Sequence, residues 1–148
     1  MTAADATILT VALAAASVWD IRVRRIPNPL VIAAAVLLVA ADLEGLSFMT
    51  TAIRAGSAAV LLGLWLLVPT GMGAGDAKLL AVCALGGGPF LALVLFFGSA
   101  VTMALFALAR WVATWGRVRL GGALPMAPFA GVVWVVVLTG LVGVPHRF

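Results

Sequence analysis

The chain has 148 residues, of which 65% are hydrophobic and only 9% charged, with a formal net charge of +4 and a mean hydropathy of +1.26. Soluble domains carry about 25% charged residues, so this composition excludes a soluble domain and indicates a polytopic membrane protein. The positive charge does not indicate nucleic-acid binding, because the basic residues form short clusters between apolar runs. The length predicts a single domain over residues 1–148.

Apolar runs separated by charges or by Gly/Pro breaks predict an all-α membrane protein with about six transmembrane helices. A helix needs roughly 20 residues to cross a bilayer, and the second and fourth runs are the short ones. A Gly-Gly-Gly-Pro turn over residues 86–89 separates the fourth run from the fifth. The predicted helices lie near residues 3–20, 29–44, 53–69, 76–87, 89–110 and 126–143.

The distribution of charge predicts how such a bundle lies in the membrane. If six helices cross, Arg54 and Arg147 lie on one side with Asp5, Asp42 and Glu44, and the other seven of the nine basic residues lie opposite. The positive-inside rule then places both termini outside the cytoplasm. We expect the protein to lie in the inner (cytoplasmic) membrane. The seven basic residues on the cytoplasmic side are Arg22, Arg24, Arg25, Lys78, Arg110, Arg117 and Arg119.

Two aspartates stand at predicted membrane boundaries. Asp20 ends the first apolar run and Asp76 begins the fourth, so antiparallel helices bring both to the cytoplasmic side. A carboxylate at such a boundary is costly and indicates a functional site. Alternatively, Asp76 is the N-cap of its helix and Asp20 forms an ion pair with nearby arginines. Two close carboxylates share a proton, so one can activate a water while the other polarises a peptide carbonyl.

Five neighbouring residues are candidates for support of this pair. We expect Gly73 and Gly75 to permit positive φ and to let another backbone or a substrate approach the carboxylate of the adjacent aspartate. Pro27 and Asn28 belong to a Pro-rich segment that predicts a rigid turn between the first two helices. Lys78 is either an interface anchor or a group that contacts an aspartate or an acidic substrate residue.

Other kinds of catalytic site find little support in the sequence. Cys83 is the single cysteine, and His146 is the single histidine and stands in the polar C-terminal segment. A Ser-His or Cys-His pair and a Cys-x-x-Cys metal site are therefore not expected. The sequence predicts no metal and no cofactor.

Three segments resemble the type IV prepilin peptidases. Residues 73–80 (GAGDAKLL) resemble the family's GxGD signature, and Asp20 together with residues 25–28 (RIPN) resembles its first catalytic block. Residues 124–129 (LPMAPF) are similar to the Pro-containing start of its last helix. The three blocks occur in the family's order and extend over most of the chain.

The resemblance implies an intramembrane aspartyl endopeptidase of the GxGD type, with Asp20 and Asp76 as the catalytic pair. Its substrate would be a prepilin-like precursor, which presents a helix from the lipid bilayer and a leader peptide at the cytoplasmic face. The compact length is most similar to the Tad/Cpa-type branch, which processes Flp-like pilins, or to the prearchaellin peptidases. Longer members carry a cysteine-rich insertion and methylate the new N-terminus. The single Cys83 and the short first connection predict no N-methyltransferase activity.

Two other functions stay open on the residues themselves. A small proton- or cation-coupled transporter could use Asp20 and Asp76, but it would place carboxylates near the bilayer midplane rather than at one boundary. A non-catalytic subunit of a pilus or secretion machine would not need both aspartates. The boundary position of the pair favours the peptidase.

Overall fold

The computed structural model describes residues 1–45, 47–67, 73–114 and 124–143. Within these ranges the secondary structure is entirely helical, which confirms the all-α fold. The predicted positions of Arg117, Arg119, His146 and Arg147 lie outside the described residues. The five helices of the described part are α1 (Ala3–Val23), α2 (Asn28–Gly45), α3 (Phe48–Leu67), α4 (Ala74–Ala113) and α5 (Met126–Gly143).

The helices have the composition of a membrane protein. In the described part of the chain, α1, α3 and α4 are long and apolar enough to cross a bilayer. The apolar segments Asn28–Asp42 of α2 and Met126–Gly140 of α5 are shorter. Many large apolar side chains stay exposed on the outer faces of the helices, such as Val36, Leu64 and Phe97. Lipid rather than water is the solvent that suits these faces.

Two helix boundaries differ from the prediction, each because of a local backbone signal. We predicted the third helix from residue 53, but α3 begins at Phe48, because the backbone carbonyl and hydroxyl of Ser47 accept hydrogen bonds from Thr51 and Thr50. The first helix was predicted to end near residue 20, and α1 continues to Val23. Arg24 then ends it with φ 53°, donating its backbone N–H to the carbonyl of Asp20.

The predicted break between the fourth and fifth segments lies inside α4. Gly88 has φ 80° and ψ −179°, a conformation that favours glycine, and Pro89 follows it. Residues near both ends of α4 lie close to the start of α5, so the two halves of this helix run in opposite directions. Asp76 shares a cleft with Met126, and the ring of Phe106 lies 5.6 Å from that of Phe129. The described residues thus form five helices where about six were predicted, and the number of membrane crossings stays a prediction.

The interior of the bundle is built from apolar side chains that α1, α2, α4 and α5 contribute. Leu9 and Leu13 of α1, Leu38 of α2 and Leu80 of α4 are almost completely buried in it. Trp134 of α5 is buried as well, and its indole Nε1 donates a hydrogen bond to Thr10 Oγ1 at 3.0 Å. This bond satisfies a polar group that would otherwise be costly in a dry interior.

Close packing at the turn of α4 depends on Gly86. A Cβ atom added there would lie 2.7 Å from Leu9 Cδ1 and 3.1 Å from Leu38 Cδ2. Both leucines are fully buried, so neither can move aside easily.

We therefore expect Gly86→Ala to destabilise the fold by about 1–3 kcal/mol through overpacking. Gly63→Ala is the matched control, because a Cβ added at Gly63 meets no atom within 4 Å. Thermal unfolding in detergent measures both variants. A melting temperature of Gly86→Ala equal to that of Gly63→Ala would contradict the packing described for this turn.

Candidate active site

The candidate site is a cleft of about 600 Å³ at the end of the bundle where α1 ends and α4 and α5 begin. It brings together two segments that are about 50 residues apart in sequence, and a third from the start of α5. All seven site residues predicted from the sequence line this cleft: Asp20, Pro27, Asn28, Gly73, Gly75, Asp76 and Lys78.

Asp20 of α1 is held by a hydrogen bond from α5. It lies in the last turn of α1 and is 8% exposed, and its Oδ2 accepts a hydrogen bond from the backbone N–H of Ala127 at 3.1 Å. Ala127 is the second residue of α5. The carboxylate therefore lies at the positive end of the α5 dipole, which offsets its unfavourable position at the negative end of α1.

This contact corrects one of the interpretations made for Asp20. Ion pairing with a nearby arginine is not what the structure contains, because the ion pairs of the described residues involve only Arg54 with Asp5 and Asp42. The Pro-rich start of α5 was the available signal, since Pro at the start of a helix leaves the next N–H groups for an outside acceptor. Sequence alone did not say which side chain would be that acceptor.

Asp76 is the third residue of α4 and is partly exposed to the cleft. The N-cap of α4 is Gly73, so the alternative interpretation of Asp76 as the N-cap is wrong. A carboxylate in the first turn still lies favourably at the positive end of the helix dipole. Both aspartates are thus stabilised by helix N-termini, Asp76 by its own helix and Asp20 by α5.

The two glycines of the predicted motif do not adopt positive φ, and what they contribute is the room left by the missing Cβ atom. Gly73 has φ −62°, and the positive φ among the described glycines is at Gly88. The expectation of positive φ at Gly73 and Gly75 is therefore wrong. A Cβ added at Gly73 would lie 3.1 Å from Asp76 Oδ2, whereas one at Gly75 would reach Ile26 at an ordinary contact distance of 3.4 Å. The Asp76 carboxylate itself lies beside Gly73, and the approach of another backbone or of a substrate to this carboxylate stays a prediction.

Asn28 and Lys78 form a second link across the cleft. Lys78 Nζ donates to Asn28 Oδ1 at 2.8 Å, which joins the second turn of α4 to the first residue of α2. Pro27 precedes this residue, and its carbonyl accepts from the N–H of Val31 at 3.4 Å. The turn predicted between the first two helices therefore presents Asn28 to Lys78. The role of Lys78 in chemistry stays a prediction.

Basic residues also line the cleft. Arg24, Arg25 and Lys78 line the cleft together with Asp20 and Asp76. Arg24 and Arg25 are exposed. The cleft therefore carries both signs of charge, with the cations on its rim.

The fold and this cleft define a helical membrane protein with two carboxylates at one end of its bundle. A comparison with protein-family models matches residues 7–108 to the type IV leader peptidase family. The matched range is well over half of the 148 residues and contains Asp20 and Asp76. The chain belongs to the type IV leader peptidase family. Searches of curated proteins and of solved structures found no match.

The short distance between Gly73 and the Asp76 carboxylate can be tested by substitution. We expect Gly73→Ala to reduce the rate of leader cleavage about tenfold, because the added Cβ displaces the Asp76 carboxylate. Gly56→Ala is the matched control, because it lies outside the cleft and a Cβ added there meets no atom within 4 Å. Initial rates on a purified precursor, with thermal unfolding of each variant, measure the effect. Equal rates for the two variants would show that the space at Gly73 has no part in activity.

Proposed function

We propose that this protein is an intramembrane aspartyl endopeptidase that removes the N-terminal leader from prepilin-like precursors. Membership of the type IV leader peptidase family supports a peptidase that acts on such precursors in a membrane. The single observation that carries the aspartyl mechanism is that Asp20 and Asp76, from different helices, line the same cleft.

The proposed reaction uses the two carboxyl groups with one shared proton. The ionised carboxylate removes a proton from a water molecule, whose oxygen attacks the carbonyl carbon of the scissile peptide bond. The protonated partner polarises the carbonyl oxygen and stabilises the tetrahedral intermediate. The intermediate then collapses, the C–N bond breaks, and the leaving nitrogen takes up a proton from the carboxyl that gained one. Neither a metal nor a cofactor enters this scheme.

The charges at the cleft support a cytoplasmic position for the site. Arg22, Arg24, Arg25 and Lys78 lie at the same end of the bundle as Asp20, and the positive-inside rule places that end in the cytoplasm. The leader would then enter the cleft from the cytoplasm, while the apolar helix of the precursor stays in the bilayer. On this topology both ends of the chain face away from the cytoplasm.

The substrate we favour is a Flp-type pilin precursor, because the short connection between α1 and α2 departs from the long members of the family. The connection between α1 and α2 is short, covering residues 24–27, and leaves no room for a cysteine-rich insertion. We therefore expect cleavage without N-methylation of the product. A transporter is less consistent with the cleft, because both carboxylates lie at helix ends rather than in the middle of their helices.

We expect Asp20→Asn and Asp76→Asn each to reduce kcat for leader removal by at least about 10³-fold, as loss of one member of a catalytic unit does. The double variant should be no worse than either single one, because the two groups act together. The assay is cleavage of a purified Flp-type precursor in detergent, with thermal unfolding to verify that each variant is folded. Cleavage at the normal rate by either single variant would refute the mechanism, and a wild type without activity would favour a transporter or an assembly subunit.

The shared proton generates a further expectation for the pH dependence. The rate should fall at low pH, where both carboxyl groups are protonated and no base is left. It should also fall at high pH, where both are ionised and no acid is left. A profile of kcat/KM against pH on the same precursor measures this. A rate that rises to a plateau without a second limb would contradict the two-carboxyl scheme.

A further inference from the structure

Three charged side chains are buried together at the end of the bundle opposite the cleft. Arg54 Nη1 of α3 donates to Asp42 Oδ1 of α2 at 2.6 Å and to Asp5 Oδ2 of α1 at 3.2 Å. Arg54 is 4% exposed, Asp42 2% and Asp5 0%. We name these three residues the far-end cluster. One guanidinium group therefore joins three helices inside an otherwise apolar bundle.

The far-end cluster contacts α1 and α2, two of the helices that carry residues into the cleft. Asp5 precedes Asp20 by 15 residues on α1, a distance of about 22 Å along the helix. Asp42 follows Asn28 by 14 residues on α2, a distance of about 21 Å. Each helix thus has a polar contact at both ends: α1 through Asp5 and Asp20, and α2 through Asp42 and Asn28.

Apolar contacts dominate the core between these ends. Leu9, Leu13, Ala16 and Leu38 are buried there. These side chains hold α1 by close packing, together with the hydrogen bond from Trp134 to Thr10. Hydrogen bonds and ion pairs depend steeply on distance and angle. The polar contacts at its two ends therefore add a directional constraint on the axial position of α1.

The cluster is not the arrangement that stability alone would favour. It buries two carboxylates against one guanidinium, and Asp5 Oδ1 finds no hydrogen-bond partner among the described residues. Apolar side chains of similar volume often replace a buried ion cluster without loss of stability, and sometimes with a gain. A buried ion cluster can instead serve to define the geometry between the helices that it joins.

We propose that Arg54 is a positioning residue for the peptidase reaction. By joining Asp5 to Asp42, it holds α1 along its axis and so sets Asp20 at the height of Asp76. This inference rests on the proposed function, because it assumes that these two aspartates react together. The demand on position is strict, since a misplacement of about 1 Å can reduce a rate by about 10²-fold.

The decisive variant removes the charges and keeps the volume. In Asp5→Asn/Asp42→Leu/Arg54→Met, the Asn oxygen can still accept from Thr2 N–H, as Asp5 Oδ2 does at 2.7 Å. We expect this variant to unfold at a temperature close to that of the wild type, with kcat at least about tenfold lower and KM changed less than about threefold. Arg110→Met is the matched control, because it makes the same change at an exposed position. The control should keep the wild-type kcat.

Arg54→Lys serves as a second variant that keeps the charge. The lysine side chain is one atom shorter, so its ammonium cannot take the place of Nη1 against both aspartates unless α3 moves. We expect kcat to fall about three- to tenfold in this variant, with KM again nearly unchanged. Because the positive charge stays, this variant tests the geometry even if the charge-free variant does not fold.

A distance measurement tests the inference without any substrate. Spin labels at Arg22→Cys and Leu108→Cys, in a Cys83→Ala background, report on the position of α1 relative to the second half of α4, since both labelled positions are exposed. We expect the charge-free variant or Arg54→Lys to shift the mean distance by more than about 1 Å, or to broaden its distribution. A wild type that cleaves no precursor would count against the proposed function and leave this distance test in force. Unchanged distances in folded variants, or wild-type kcat in both, would overturn the role of Arg54.

Discussion

The hydrogen bond from Ala127 N–H to Asp20 Oδ2 is the contact on which the architecture of the cleft depends. A carboxylate at the C-terminal end of α1 is unfavourable against the dipole of its own helix. The backbone N–H groups at the N-terminus of α5 have no acceptor within their own helix. One of them donates to Asp20, so the start of α5 gains an acceptor and the carboxylate gains a donor. This pairing sets α5 beside α1 and leaves the carboxylate in the lining of the cleft.

The turn at Gly88 places the second aspartate. Because α4 reverses there, its first turn with Asp76 and its last turns with Phe106 both lie near the start of α5. A straight helix of 40 residues would be about 60 Å long and could not bring both ends to that depth. The conformation of one glycine therefore decides where the N-terminal end of α4 lies, and with it the carboxylate that shares a cleft with Asp20.

Among the described residues, the polar side-chain contacts between helices lie at the two ends of the bundle, except for the Trp134–Thr10 hydrogen bond within its apolar middle. This division follows from the membrane, where an unpaired polar group is most costly in the centre and least costly at the boundary. The cleft end carries the candidate catalytic carboxylates, and the far-end cluster joins α1, α2 and α3. A peptidase that works beside lipid can thus place its reacting groups with few polar contacts.

The helical membrane fold and most of the candidate site could be predicted from the sequence, because they depend on local signals. Apolar runs marked the helices, and the segments around Asp20, Gly73 and Asp76 marked residues that all line one cleft. Local signals also explain two errors: Ser47 starts α3 earlier than its apolar run, and Gly73 uses ordinary φ where positive φ was expected.

The sequence by itself determined that the chain is a bundle of apolar helices with two costly carboxylates at helix ends, because composition and spacing are properties of the chain alone. Only the tertiary structure decided the partners: Ala127 for Asp20, Asn28 for Lys78, and Arg54 for both Asp5 and Asp42. Those contacts join residues from 12 to 107 positions apart. Many pairings satisfy the charge pattern at such separations, and only the packing of the helices selects one of them.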